Sequence, residues 1–109
     1  MATTYKVLGQ SAPAATTATD IYTVPAATET VVSTIVVANR AATDATFRIS
    51  VSVNGAATAT KDYIAYDLVI GGAGFISFTI GATMDATDKI RVYASTADLS
   101  FTVFGSEIS

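Results

Sequence analysis

The sequence predicts an all-β fold, a two-sheet antiparallel β-sandwich of about eight strands with Greek-key or jelly-roll-like connections. Three observations carry that expectation. Phe47, Ile49, Val51 and Val53 alternate with Arg48, Ser50 and Ser52, the period-two pattern of a half-buried strand. The same alternation recurs in the last long stretch, Lys89 to Gly105. Glu29 to Asn39, ETVVSTIVVAN, is rich in β-branched residues, whose stiff side chains crowd the preceding turn of a helix and suit a pleated sheet.

Taken in order, Tyr5-Lys6-Val7-Leu8 reads as a short first strand. Gly9 to Thr19, GQSAPAATTAT, is small and polar, contains Pro13 and lacks periodicity, so it reads as an extended connection. Residues 1–19 are therefore expected to form an N-terminal strand and arm, and 20–109 the sandwich domain. Met1 to Thr19 has few large side chains beyond Tyr5, Val7 and Leu8. Ordering it costs roughly 1–2 kcal/mol of backbone entropy per residue, so a neighbouring chain is one expected resting place, with Tyr5 and Leu8 as anchors. Pairing of Tyr5 to Leu8 within the chain's own sheet is the alternative.

Asp20 to Val24 is the second strand, stopped by Pro25, which has no N–H to give a ladder. Glu29 to Asn39 follows. Val31, Ser33, Ile35 and Val37 are expected on one face, with Val32, Thr34, Val36 and Ala38 on the other. Both faces are largely apolar, so the strand is expected at the centre of a sheet. Thr46 to Asn54 has Phe47, Ile49, Val51 and Val53 inward, and Asn54-Gly55 signals a turn. In Thr60 to Ile70, Ile64, Tyr66, Leu68 and Ile70 share one face, and Tyr63, Ala65 and Asp67 the other. Gly71-Gly72-Ala73-Gly74 is a turn. It has neither the following helix nor the Lys-Ser/Thr of a phosphate loop. Phe75 to Ile80 is the next strand.

Lys89 to Gly105, KIRVYASTADLSFTVFG, reads as a β-hairpin. Ile90, Val92 and Ala94 line one arm, Leu99, Phe101 and Val103 the other, and Ser95 to Asp98 form the turn. Phe104 falls on the solvent face of its arm, where Ser100 and Thr102 precede it. Two readings apply: partial cover by a loop, or contact with another protein chain. With Tyr5, Leu8 and Tyr93 it makes up the candidate protein–protein interface.

The composition narrows the function classes. The 109 residues suffice for one domain with a modest core. Ala and Thr together supply roughly a third of the chain, far above average usage. Small side chains gain little from burial, so Tyr, Phe, Val and Ile carry the core, and a core of this kind often needs an oligomeric partner. The six Lys and Arg are scattered and outnumbered by nine acids, which is no nucleic-acid footprint. No apolar run approaches a membrane span, and MATTYKVLGQ lacks the pattern of a signal peptide. With no Cys, disulfides and thiolate metal sites are excluded.

Little points to chemistry. The chain has no His and no Cys, the commonest general base and the best nucleophile. Its serines lack a nucleophile-elbow setting. Asp85 and Asp88 lack the alternating oxygen ligands of a calcium loop, so no metal and no cofactor are expected. A carboxylate pair for glycoside hydrolysis would have little material for a cleft in a chain without Trp. The expectation is a protein that is not an enzyme.

Several segments, in order, carry a resemblance. Tyr22-Thr23-Val24-Pro25-Ala26, Val31 to Arg40 (VVSTIVVANR), Phe47-Arg48-Ile49 and Ile90 to Thr96 (IRVYAST) resemble small virion structural proteins of tailed bacteriophages, those of cyanobacterial phages in particular. The similarity covers about Asp20 to Gly105. It implies a building block of the virion, assembled in the host cytoplasm, with no catalytic residues. The favoured form is a capsid decoration (cement) protein that binds itself, with a trimer as first guess, and binds the major capsid protein or another virion protein. A neck, tail or fibre component is the alternative, although a fibre more often shows repeats. A carbohydrate-binding module, with Tyr5, Tyr63, Tyr66 and Tyr93 as stacking groups, is the second alternative.

Overall fold

The computed structural model describes residues 2–109. It contains eight strands and two short 3-10 turns: β1 Thr3–Ser11, β2 Thr19–Thr23, β3 Glu29–Asn39, β4 Ala45–Ser52, β5 Tyr63–Ile70, β6 Phe75–Met84, β7 Lys89–Ala94 and β8 Leu99–Ile108, with the turns at Val53–Gly55 and Thr60–Asp62. They form two four-stranded antiparallel sheets in the orders β1-β8-β3-β6 and β2-β7-β4-β5. The expected two-sheet sandwich is therefore present. The pairs β1·β8, β2·β7, β3·β6 and β4·β5 are nested like one long hairpin wrapped round the core, the topology of a jelly roll.

That wrapping overturns the expected terminal hairpin. β7 pairs with β2 and β4, while β8 pairs with β1 and β3. Residues Ser95 to Asp98 carry the chain from one sheet to the other. The apolar faces expected of both arms are present: Ile90, Val92, Ala94, Leu99, Phe101 and Val103 are all buried. Alternation reports that one face is covered and is silent about which strand lies alongside.

Residues 1–19 divide into a strand and a connection, with Met1 outside the described residues. β1 pairs with β8 of the same chain from Thr3↔Ile108 to Ser11↔Phe101, so Tyr5 to Leu8 lies in the chain's own sheet. In the connection Pro13 is buried and the Thr16 N–H bonds to Ala94 O at 2.8 Å.

The core contains Phe47 in edge-to-face contact with Phe101 and with Phe78, both at 6.0 Å between ring centroids, a preferred geometry for aromatic quadrupoles. Around them lie Ile35, Val37, Ile49, Ile90, Val92 and Val103. Among the described residues no buried side-chain nitrogen or oxygen lacks a partner.

β-Bulges correct facing assignments in β3 and β5, and the end of β4 corrects a third. In β3 the register shifts between Val32 and Thr34, so the buried set is Thr30 and Val32, then Ile35 and Val37. A strict period of two had placed Val31 and Ser33 with Ile35. The bulge adds one residue and reverses the parity. In β5 two irregularities flank Ala65. Ala65 and Ile70 are buried, whereas Ile64 and Tyr66, expected to share a face with Ile70, are exposed; Leu68 keeps the inward parity of Ile70, opposite Phe47, but is only partly covered at the sheet edge. Val53, expected inward, is 65% exposed because β4 ends before it and the chain enters a 3-10 turn.

The bulges of the β1-containing sheet lie in one row. Leu8 is extra in β1, between the partners of Phe104 and Val103, Ser33 is extra in β3, between those of Gly105 and Phe104, and β6 shifts between Ala82 and Thr79 around Gly81. Gly81 has φ 56°, a left-handed conformation that glycine adopts without a Cβ penalty. Gly105 is required by space: a Cβ there would lie 2.2 Å from Val31 O and 2.9 Å from Leu8 Cδ1.

Candidate functional site

The four candidate interface residues do not form one surface. Tyr5 and Phe104 share the outer face of the β1-containing sheet. Phe104 stands opposite Val7 of β1 and Thr34 of β3. Tyr5 is 83% exposed, Val7 47% and Phe104 38%. Ser33 Oγ donates to Phe104 O at 3.2 Å, so the β3 bulge is fixed to the strand that carries the phenylalanine. Between Tyr5, Val31, Ser33 and Phe104 lies a shallow groove of about 450 Å³. Lys6 also lines it, and its Nζ meets Glu107 Oε1 at 2.8 Å.

Leu8 lies on the other side of that sheet. One residue on from outward Val7, it points to the opposite face by ordinary alternation, and it packs half-buried against the core. The sequence signal was Gly9, whose Cβ would meet Ile21 O at 2.2 Å: the chain comes too close to β2 there for any side chain.

Tyr93 lies on the opposite face of the molecule, because β7 and β8 belong to different sheets. It forms part of an aromatic cluster that sequence reasoning saw only as separate tyrosines. The Arg48 guanidinium lies 4.3 Å from the Tyr66 ring centroid and 4.5 Å from that of Tyr93. Tyr66 meets Tyr63 edge-on at 4.8 Å. Asp67 accepts from Arg48 Nε at 2.7 Å and from Nη2 at 3.3 Å, a two-pronged pair that orients the guanidinium. Arg48 holds the Asp67 carboxyl below its usual range. Of the four tyrosines considered for sugar stacking, Tyr63, Tyr66 and Tyr93 gather here and Tyr5 does not. Arg48 already lies against the Tyr66 and Tyr93 rings.

Next to this cluster, Arg91 holds the 53–62 segment down on the outer face of its sheet. Its Nη1 donates to Ala56 O at 2.6 Å and Ser52 Oγ at 3.0 Å, and its Nη2 to Gly55 O at 3.1 Å. Asp20 accepts from Arg91 Nε at 2.8 Å and from Lys89 Nζ at 2.9 Å. Those two cations, Lys89 first, pull the Asp20 carboxyl below its usual range. Ser50 and Ser52 are buried as a result, although both point outward from β4.

Asp88 has a structural task. Its two carboxylate oxygens accept the backbone N–H groups of Asn54 and Asp85, each at 2.9 Å, and so tie two turns together. Among the described residues no group of three or more His, Cys, Asp or Glu is placed to hold a metal ion. No family model, no curated protein and no solved structure matches the chain.

Proposed function

We propose that the chain is a non-enzymatic structural protein of a virus particle, a capsid decoration protein that stabilises the head of a tailed bacteriophage by protein–protein contacts. One observation carries this reading: the apolar patch of Tyr5, Val7 and Phe104 on the outer face of a filled sandwich. Exposed apolar side chains that adjoin one another mark a surface for another macromolecule. The patch stands on two paired strands, β1 and β8, so its side chains are held in place before any partner arrives, which lowers the ordering cost of binding. The jelly-roll topology adds fold-level support, because viral coat domains use it repeatedly. The partner is the major capsid protein or another virion protein.

Quantitative mass spectrometry of purified particles tests the reading. A copy number on the scale of the shell subunits is expected. A handful of copies moves the protein to the neck, tail or fibre, and absence from the particle refutes the proposal. Attachment of the purified protein to undecorated particles, lost in Tyr5→Ser/Phe104→Ser, assigns the contact to this face.

A further inference from the structure

The two long sides of the sandwich differ. On one side β1 and β2 close together, Gly9 against the Ile21 carbonyl. On the other side the edge strands are β5 and β6, and there the apolar interior reaches the surface. Leu68 stands opposite Phe47 in the ladder and shares its inward parity, yet it is 40% exposed. Across the gap Ile76 and Phe78 of β6 are only partly buried. Phe75 and Ile80 flank them at 72% and 40% exposure.

This side also carries an open backbone edge. β6 bonds to β3 on one flank and ends the sheet on the other. It is ten residues long, FISFTIGATM, without a charge or a proline. The one charged residue of β5, Asp67, is engaged by Arg48. Edge strands that stay free are commonly short, charged or interrupted by proline. Here the bulge at Gly81 is the one such device, and it leaves Phe75 to Thr79 regular.

We propose that the β6 edge pairs with the β6 edge of a second copy of this chain about a two-fold axis, joining two four-stranded sheets into one of eight strands. Four features of the structure favour a second copy as the occupant. An unpaired edge calls for another extended strand, and antiparallel self-pairing sets each strand's donors against the other's acceptors. No residue of β6 is charged, so the edge itself does not select a charged partner. Its own apolar residues supply a matching set, with Phe75 and Ile80 meeting their symmetry mates or neighbours. β6 is ten residues long, about 33 Å at the usual rise of a strand, against a longest molecular extent of 45 Å, so the pairing can run along most of that edge. The contact closes on itself as a dimer, in place of the trimer expected from the sequence. It leaves the Tyr5–Phe104 face free and does not rest on the virion reading.

Sedimentation velocity on the full chain at micromolar concentrations tests the pairing. Wild type is expected as a dimer. Phe75→Lys/Ile80→Lys is expected as a monomer with an unchanged melting temperature, since both side chains are exposed. Tyr5→Ser/Phe104→Ser is expected to remain dimeric, which separates this contact from attachment to a particle. The chain has no cysteine, so Ser77→Cys gives a second measurement: a short bismaleimide is expected to link two chains through it. A monomeric or trimeric wild type, a charged variant that stays dimeric, or a Ser77→Cys protein that does not cross-link overturns the proposal.

Discussion

The Tyr22 hydroxyl donates to Glu107 Oε2 at 2.5 Å, and so a strand of one sheet is bonded to a strand of the other. The same hydroxyl lies 2.8 Å from Thr30 Oγ1, and Lys6 completes the group from β1. Four strands, β1, β2, β3 and β8, thus meet at one polar cluster beside the core. Burial is the first cause that pushes the Tyr22 phenol up, to about 12, with Glu107 adding to it. Lys6 first, and then Tyr22, lower the Glu107 carboxyl.

The pH dependence of stability follows from these directions. Glu107 titrates lower in the folded chain than in the unfolded one, so its contribution is present above about pH 4.5 and is lost as the pH falls through its folded value. Asp20 behaves likewise from about pH 3.8 downward. Tyr22 has the opposite sign: its contribution is complete below pH 10.0 and is lost as the pH rises toward about 12. Urea midpoints measured across pH are expected to fall at both ends. Tyr22→Phe should lose about 1–2 kcal/mol at neutral pH through its hydrogen bonds and flatten the alkaline limb. An unchanged alkaline limb in that variant contradicts the assignment.

Phe47→Ala and Phe101→Ala are each expected to cost about 3–5 kcal/mol, the range for emptying a buried aromatic site. Both rings are essentially without exposure. Such a loss is a large part of the stability of a small domain. Chemical denaturation followed by tyrosine fluorescence measures it.

Neighbours in sequence should behave in opposite ways at Phe104 and Gly105. Phe104→Ser changes an exposed side chain, and its effect on stability is expected within about 0.5 kcal/mol. Gly105→Ala drives a methyl into Val31 O, and a cost of about 1–3 kcal/mol is expected from overpacking. Thermal melts of the two variants side by side distinguish the surface role from the spatial one.

Arg91→Ala should release the 53–62 segment. The bonds to Gly55 O and Ala56 O vanish with the guanidinium, and exposed Lys61 lies in that segment. Faster tryptic cleavage after Lys61 is expected, measured by mass spectrometry under native conditions. Equal cleavage rates in variant and wild type contradict the anchoring role.

Removal of residues 1–18 is expected to unfold the domain. β1 forms an edge ladder with β8 over most of its length, and its loss uncovers one flank of β8 and the inward side of the sheet. A truncated chain that melts like wild type in circular dichroism makes the strand dispensable.

The sequence by itself determined the all-β class, the approximate place of all eight strands, and the principal core aromatics. β3 matches residue for residue, from Glu29 to Asn39. These features are local. Side-chain branching and period-two alternation are set by the chain's immediate backbone, and they register burial whatever lies opposite. The sequence marks β1 only from Tyr5 to Leu8, because the flanking Thr3, Thr4, Gly9, Gln10 and Ser11 carry no large apolar side chain.

Only the tertiary structure decided which strands are neighbours. β7 and β8 follow one another in sequence and lie in different sheets, so Tyr93 and Phe104 occupy opposite faces. The bulges at Leu8, Ser33 and Gly81 were likewise decided by pairing, since an extra residue exists only relative to a partner strand. The shift after Val7 brings Gly9 rather than Leu8 opposite Val103. The Arg48–Tyr66–Tyr93 cluster and the Arg91 anchor join residues distant in sequence, and nothing in the spacing of those residues announces them. Local backbone preference is written along the chain; strand partnership arises from closing one core with both sheets at once.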